Sequence, residues 1–278
     1  MKSGVRGGAA LLAAAVLAGA IAIPATAQQQ YKPMGPYKPA DWTALASLPD
    51  FNGVWELARM AAPRPAATPA AAPAAGAAPA GPRASPRAQG AEPQLTPAFA
   101  AKLAEYKAAQ AKGDIQDEET ANCVPPGLPG IMTQPYPIEF MLTPGKVTIL
   151  SEAYTQVRHV YTDGRGHPED PDLTWYGHST GKWENGTLVV DSVGFSPDTT
   201  LGPGIGHSDK MHVVERMRLA QPDLLEITTT VTDPEALTAP WVTTRTYARH
   251  RDWTTAEYVC QQNNRNAVFG GKAAINLK

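Results

Sequence analysis

The stretch KWENGTLVVDSV, residues 182–193, carries the strongest local fold signal in this chain of 278 residues. Its Asn185-Gly186 dipeptide strongly favours the two-residue turn of a β-hairpin. Lys182 to Glu184 and Thr187 to Val193 flank that turn, so they are predicted to be antiparallel neighbours.

The same pattern of short apolar runs separated by turn residues extends in both directions from this hairpin. Thr143-Pro144-Gly145 and Gln221-Pro222-Asp223 mark two further hairpin turns, and Asp163-Gly164 ends another alternating run. The remaining predicted strands are Phe51 to Leu57, Ile138 to Leu142, Lys146 to Ser151, Tyr154 to Tyr161, Met211 to Leu219, Leu224 to Thr232, Trp241 to His250 and Ala256 to Cys260. Many short strands with turn residues between them predict an all-β antiparallel barrel or sandwich.

One segment predicts a helix. Thr96 is a suitable cap, Pro97 suits the first helical position, and Gly113 is expected to end the helix. Its apolar residues recur at helical spacing: Phe99, Leu103 and Tyr106. The other face carries Ala, Lys and Gln, so this helix is expected at the periphery of the barrel.

The N-terminal segment, residues 1–27, has the composition of a secretory signal. A basic start is followed by an apolar stretch at 9–23 and by the cleavage motif Ala25-Thr26-Ala27. We therefore expect a cleaved signal peptide and a periplasmic or secreted protein. No membrane span is expected in the mature chain.

A second segment, residues 61–93, contains 15 Ala and 8 Pro and is predicted to be disordered. The first strand belongs to the N-terminal segment 28–60, ahead of this insertion. Residues 94–278 are expected to form the remainder of a single barrel domain.

Charge and motif content narrow the function classes. The net charge is −2 and the folded region has no cluster of Lys and Arg, so nucleic-acid binding is not expected. The chain lacks a Walker loop, a Rossmann glycine fingerprint and a CxxC motif, so we expect no cofactor. The expected partner is a small-molecule ligand or substrate.

The chain has two cysteines, Cys123 and Cys260. Because an exported protein meets an oxidising compartment, we predict a disulfide between them. The alternative, a catalytic or metal-binding pair, has no recognisable local motif.

The stretch Gly53-Val54-Trp55 resembles the Gly-x-Trp opening of lipocalin-type barrels. The resemblance implies that Trp55 closes one end of the barrel and that a late-strand arginine, Arg245 or Arg249, packs over it. With the strand pattern, it implies a lipocalin-like antiparallel β-barrel with one peripheral helix. The Ala/Pro insertion after the first strand departs from that family.

Four further motifs are similar to those of a family of exported bacterial hypothetical proteins. They are CVPPGLPG at 123–130, DGRGHP at 163–168, GKWENGTLVVD at 181–191 and HSD at 207–209. That family has no established activity, so this resemblance implies no function.

Strand alternation places ionisable residues among apolar ones. Glu215 shares a face with Met211, Val213, Met217 and Leu219. By the same alternation, Asp191 shares a face with Val189 and Val193, and Arg158 shares one with Tyr154, Gln156 and Val160. We expect both carboxylates to point into the barrel and to meet Arg158, as a structural ion pair or as an acid–base or ligand-orienting group.

Two loops carry histidines beside carboxylates. Asp163, Arg165 and His167 follow one strand, and His207 and Asp209 lie in a glycine-rich loop before another. If both loops open at the same end of the barrel, these groups are expected to converge for proton transfer. The alternative is that the aspartates cap turns and His167 is solvated.

The candidate residues fall into two sets. The catalytic candidates are His207, Asp209, Glu215, His167 and Asp163. The substrate-binding candidates are Arg158, Arg165, Trp175, His178 and Asp191. No metal is expected. The alternatives are a zinc site of His207, Asp209, His212 and His178, whose spacing matches no standard zinc motif, and a calcium site of Glu169, Asp170 and Asp172, which lacks the spacing of a calcium loop.

A further motif, Gly177-His178-Ser179-Thr180-Gly181, matches the Gly-x-Ser-x-Gly elbow of α/β-hydrolases. That elbow needs a strand followed by a helix, whereas a strand and a hairpin follow here. A glycine-flanked turn between strands is the simpler interpretation.

Two function classes remain. One is a barrel that holds a small apolar or aromatic molecule as a cofactor-free lyase, isomerase or hydrolase, with His and carboxylate groups moving protons. The other is a non-catalytic, lipocalin-like ligand-binding protein. Aromatic residues in the strand-rich half fit either a lined pocket or an ordinary core.

Overall fold

The predicted strands form a closed β-barrel in the computed structural model of the chain. The structure describes residues 34–58, 92–112, 123–260, 267–269 and 272–274. The predicted signal peptide lies outside these residues, as does nearly all of the Ala/Pro-rich insertion. No helix in the described ranges is long and apolar enough to cross a membrane.

Thirteen strands are described. They are β1 Gly53–Leu57, β2 Ile138–Thr143, β3 Lys146–Ser151, β4 Gln156–Tyr161, β5 His178–Glu184, β6 Thr187–Val193, β7 Thr200–Gly202, β8 Ile205–Gly206, β9 His212–Gln221, β10 Leu224–Thr232, β11 Trp241–His250, β12 Ala267–Phe269 and β13 Lys272–Ala274. The barrel order is β1-β11-β10-β9-β6-β5-β4-β3-β2, while β7 with β8 and β12 with β13 form separate two-stranded sheets.

One seam of the barrel is parallel. Strand direction cannot alternate all the way round a closed ring of nine strands, so two neighbours must run the same way. These neighbours are β4 and β5, which share two residue pairs, Val160 with Ser179 and Tyr161 with Thr180. A parallel pair cannot be joined by a tight turn, and residues 162–177 make the crossover.

The predicted helix is present as α2, Pro97–Ala111, after the short α1, Pro39–Ala44. Helix α2 has no buried residue, which confirms its peripheral position. Tyr106 packs so closely on Gly204 that a Cβ there would lie 2.3 Å from the tyrosine ring. The glycine-rich loop therefore accommodates the helix rather than a ligand.

Trp55 of β1 is completely buried in the core of the barrel. Its indole Nε1 donates to the Phe51 carbonyl at 2.9 Å. Of the two candidate arginines, Arg249 lies over the indole ring, 4.4 Å from its centroid. Arg249 also binds Asp50, with Nη1 and Oδ2 2.8 Å apart.

One end of the barrel is covered by two consecutive helical turns, Gly127–Gly130 and Ile131–Thr133. Leu128, Ile131 and Met132 of this cover are buried in the core. The Tyr247 hydroxyl donates to the Met132 carbonyl at 2.6 Å and fastens the cover to β11.

Two predicted strand positions are wrong. In the described structure Ala256 to Cys260 forms no strand, because this segment leaves the barrel after β11. Tyr154 precedes β4 in a 3₁₀ turn with a φ of 60°, so the strand begins at Gln156.

The predicted disulfide joins Cys123 and Cys260, which are 137 residues apart in sequence. Replacing both cysteines by alanine is expected to lower the free energy of unfolding by about 4–5 kcal/mol, because the bond restricts the unfolded chain. Urea denaturation of the double variant and of the oxidised wild type measures this difference. A loss below about 1 kcal/mol would contradict the expectation.

Candidate functional site

The outer wall of β5, β6 and β9 carries a chain of polar side chains. The prediction that Asp191 faces the interior is wrong, because its side chain is 45% exposed on the outer face. The inner positions of β6 are instead Leu188, Val190 and Ser192, all buried. Valines lie on both faces of this strand, so alternation alone does not identify its inner face.

Three histidines and Asp191 form a chain of hydrogen bonds, in which Asp191 joins His167 to His212 and His167 contacts His178 directly. His167 Nε2 lies 2.9 Å from Asp191 Oδ1, and His212 Nε2 lies 3.0 Å from the same oxygen. The Nδ1 atoms of His167 and His178 are 2.8 Å apart. Thr180 Oγ1 lies 3.4 Å from His167 Nε2. We call His178, His167, Asp191 and His212 the histidine chain.

The carboxylate of Asp191 orients the hydrogen bonds at its end of the histidine chain. An ionised carboxylate only accepts, so both His167 Nε2 and His212 Nε2 donate to Asp191. Between the two Nδ1 atoms of His167 and His178, one donates and the other accepts. In a neutral His212 the acceptor nitrogen is then Nδ1, so the two ring nitrogens have the reverse of their roles in a hydrolase triad, where the carboxylate binds Nδ1 and Nε2 accepts the proton.

His178 is the buried end of the chain. Its ring stacks on Tyr161, with centroids 5.4 Å apart. Arg165 covers the Tyr161 ring at 4.1 Å and binds Asp163 through two hydrogen bonds of 2.9 and 2.7 Å. Asp163 and Arg165 therefore form an ion pair that packs against the histidine chain and do not themselves face the other carboxylates.

Burial lowers the pKa of His178 from 6.5 to about 4, and the nearby His167 and Arg165 act in the same direction. Between these two values the unfolded chain binds a proton that the folded chain does not. Stability is therefore fully present above about pH 6.5 and is lost as the pH falls towards 4, by about 3 kcal/mol. Burial also lowers the pKa of His207, which adds to the effect.

This pH dependence is measured by urea unfolding between about pH 7 and pH 4.5. In His178→Phe, which keeps an aromatic ring on Tyr161 but does not titrate, the slope of stability against pH should be smaller. An unchanged slope in that variant would show that His178 does not cause it.

A groove of about 380 Å³ lies beside His212. Its lining is Pro168, Glu169, Asp170, Pro171, Leu173, Val193, Gly194, Asp209, Lys210, Met211 and His212. His212, with a side chain 39% exposed, belongs to both the groove and the histidine chain. The crossover and the start of β9 thus build a recess of ligand size beside an oriented imidazole.

His207 and Asp209 do not form the expected pair. His207 is buried, with Nδ1 2.8 Å from the Ser208 carbonyl and Nε2 3.0 Å from the Thr199 hydroxyl. Asp209 instead contacts Lys210 at 3.1 Å. The carboxylate that organises this loop is Asp233, which accepts from the Ser208 amide at 2.6 Å and from its hydroxyl at 2.8 Å.

The expected contact between Arg158 and Glu215 is present inside the barrel. Arg158 Nη2 lies 2.5 Å from Glu215 Oε2, and both side chains are buried. Arg158 also donates to Ser179 Oγ at 3.1 Å and Ser192 Oγ at 3.0 Å. One side chain of β4 therefore reaches β5, β6 and β9 across the short parallel seam.

The positions of Ser179 and Trp175 bear on two further predictions. Ser179 lies within β5 and points inward onto Arg158, which rules out the strand-to-helix elbow of a serine hydrolase. Trp175 is partly exposed in the crossover and does not line the interior. In the described ranges, no three His, Cys, Asp or Glu side chains are arranged to hold a metal ion.

The predicted site residues thus divide into three places. The structure brings together His167, His178 and Asp191 outside the barrel, and Arg158 and Glu215 inside it. His207 and Asp209 belong to neither group and do not pair with each other. The predicted catalytic set does not include His212. Strand alternation could have identified it, because His212 and Asp191 lie on the same face of the neighbouring strands β9 and β6. No protein-family model matches the chain, and no curated protein matches it.

Proposed function

We propose that this chain is an exported, cofactor-free acid–base enzyme whose active site is the groove beside His212. The observation that carries the proposal is the pair of hydrogen bonds, 2.9 and 3.0 Å, that His167 and His212 make to one oxygen of Asp191. A carboxylate that orients an imidazole next to an open recess is the arrangement used for proton transfer near neutral pH.

In this proposal His212 is the catalytic residue. Its Nδ1 takes a proton from a substrate carbon, hydroxyl or bound water, and the imidazolium that forms is stabilised by Asp191. The same proton returns to the leaving group or to another substrate atom, so no external oxidant or reductant is needed. His167 is a positioning residue, because its donation to Asp191 fixes the carboxylate that orients His212.

A lyase, isomerase or hydrolase reaction fits this proton transfer. The groove volume of about 380 Å³ suits a small organic molecule. Pro171, Leu173, Val193 and Met211 offer apolar surface to the body of such a molecule. A periplasmic location is supported by the composition of residues 1–27 and by the disulfide.

The alternative, an aromatic ligand held inside the barrel, has less support. The cavity under the 127–133 cover has a volume of about 80 Å³. A cavity that holds benzene in an engineered protein has about 150 Å³. This cavity is therefore too small for an aromatic ring.

The proposal is tested by screening the mature protein for isomerisation, elimination and hydrolysis of small organic substrates, with His212→Ala assayed in parallel. Turnover that disappears in the variant supports the groove as the active site. Turnover that is equal in both proteins would place the reaction elsewhere.

A further inference from the structure

The sequence contains two Asn-Gly dipeptides, Asn52-Gly53 and Asn185-Gly186. Asparagine followed by glycine is especially open to spontaneous deamidation, because glycine has no side chain to hinder attack by its own amide nitrogen. Both asparagines are exposed to solvent, so exposure does not distinguish them. Their hydrogen bonds and their positions in the sheet do.

The side-chain amide of Asn52 is held at both of its polar atoms. Its Oδ1 accepts from the Leu142 amide at 2.8 Å, and its Nδ2 donates to Asp50 Oδ1 at 3.3 Å. The next residue, Gly53, is paired with Phe140 in the ladder between β1 and β2. Attack by the Gly53 nitrogen on this side chain therefore requires the hydrogen bonds to break and the start of β1 to open.

Asn185 has neither restraint. Glu184 and Thr187 are the last paired residues of β5 and β6, so the Gly186 amide lies in the turn, outside the ladder. None of the residues that the structure describes forms a hydrogen bond with the Asn185 side chain. Attack by the Gly186 nitrogen then requires a rearrangement within the turn alone.

We propose that Asn185 is a site of spontaneous deamidation and that the fold protects Asn52 from the same reaction. The Gly186 nitrogen loses its proton and forms a bond to Cγ of Asn185, and ammonia leaves as the bond between Cγ and Nδ2 breaks. The product is a five-membered succinimide. Water opens either of its two C–N bonds to give aspartate or isoaspartate, so one water is consumed for each ammonia released.

The two products have different effects on the hairpin. Aspartate before glycine is also favoured in a two-residue turn, so the aspartyl form should keep the fold. Isoaspartate adds a methylene to the main chain at a turn whose length sets the register of β5 and β6. The same hairpin carries His178 and Asp191, so the isoaspartyl form should also disturb the histidine chain.

Peptide mapping by mass spectrometry tests the proposal on protein kept in a mildly alkaline buffer. In the folded, oxidised protein, Asn185 is expected to deamidate at least about 10-fold faster than Asn52, because Asn52 must first lose two side-chain hydrogen bonds. In urea, with the disulfide reduced, the two rates should agree within about 3-fold, since glycine follows both asparagines.

Asn185→Gln is the matched control. It keeps the amide but lengthens the side chain by one methylene, which disfavours ring closure, so modification at this position should stop while the rate at Asn52 is unchanged. Asn185→Asp carries the aspartyl product and should melt close to the wild-type temperature. The isoaspartyl fraction of aged wild type, separated by ion exchange, should melt at a lower temperature.

Three results would overturn the proposal. One is equal deamidation of the two asparagines in the folded protein. Another is an unmodified Asn185 in folded protein under conditions that modify it in urea. The third is a difference between the two rates that persists in urea, because the fold would then not be its cause. Each result is obtained without a substrate and is therefore independent of the catalytic role of His212.

Discussion

His212→Ala is expected to lower turnover by about 10²–10⁴-fold, with a nearly unchanged melting temperature, because it removes the proton-transfer group. Asp191→Asn should lower turnover to a similar extent, since an amide can donate to His212 and favour the wrong tautomer. Steady-state kinetics on a substrate found by screening measures both effects. The loss should appear mainly in kcat, because both changes leave the apolar lining of the groove, Pro171, Leu173, Val193 and Met211, in place.

His159→Ala is the matched control for these variants. His159 lies on the outer face of β4, away from the groove lining, and its Nδ1 lies 3.4 Å from Thr148 Oγ1. Its removal should leave turnover unchanged. If His212→Ala kept full activity while His159→Ala lost it, the assignment of the general base would be wrong.

Arg158→Met is expected to destabilise the fold by about 3–5 kcal/mol, because it leaves the Glu215 carboxylate buried without its cation. Glu215→Leu should lower the free energy of unfolding by a similar amount, because it leaves the Arg158 guanidinium buried without its carboxylate. The double variant should be less destabilised than the sum of the two, since no unpaired charge remains. Urea denaturation of all three proteins completes the double-mutant cycle.

Arg216→Met is the control, because its ion pair with Glu184 is exposed, with 3.4 Å between Nη1 and Oε2. Exposed pairs contribute at most about 1 kcal/mol. If Arg158→Met lowered the free energy of unfolding by only about 1 kcal/mol, as expected for an exposed pair, the stabilising role of the buried pair would be contradicted. Strict additivity in the double variant would contradict the coupling.

The fold was largely predictable because its signals are local. Asn185 and Gly186 both have positive φ angles, 48° and 78°, as the predicted hairpin turn requires. Glu215 was correctly placed inside because β9 is amphipathic, with exposed arginines at 216 and 218 between buried residues. The inward position of Arg158 follows from the same alternation in β4.

The candidate site was less predictable because its contacts are not local. His207 and Asp209 are two residues apart but point to different partners, and the carboxylate of this loop, Asp233, comes from the far end of β10. The histidine chain joins the crossover to three strands, from His167 to His212. Strand alternation predicts faces but not which connection covers them.

The odd number of strands helps to explain the position of the histidine chain and the groove. A barrel with an even number of strands can be connected by tight hairpins alone. No crossover then covers its outer wall. A ring of nine strands must contain one parallel pair, and because that pair here is formed by the consecutive strands β4 and β5, the chain needs a crossover between them. This crossover carries His167 and one wall of the groove on the outer face of the barrel. The parallel pair of β4 and β5 thus accounts for the chain segment on which part of the candidate site is built.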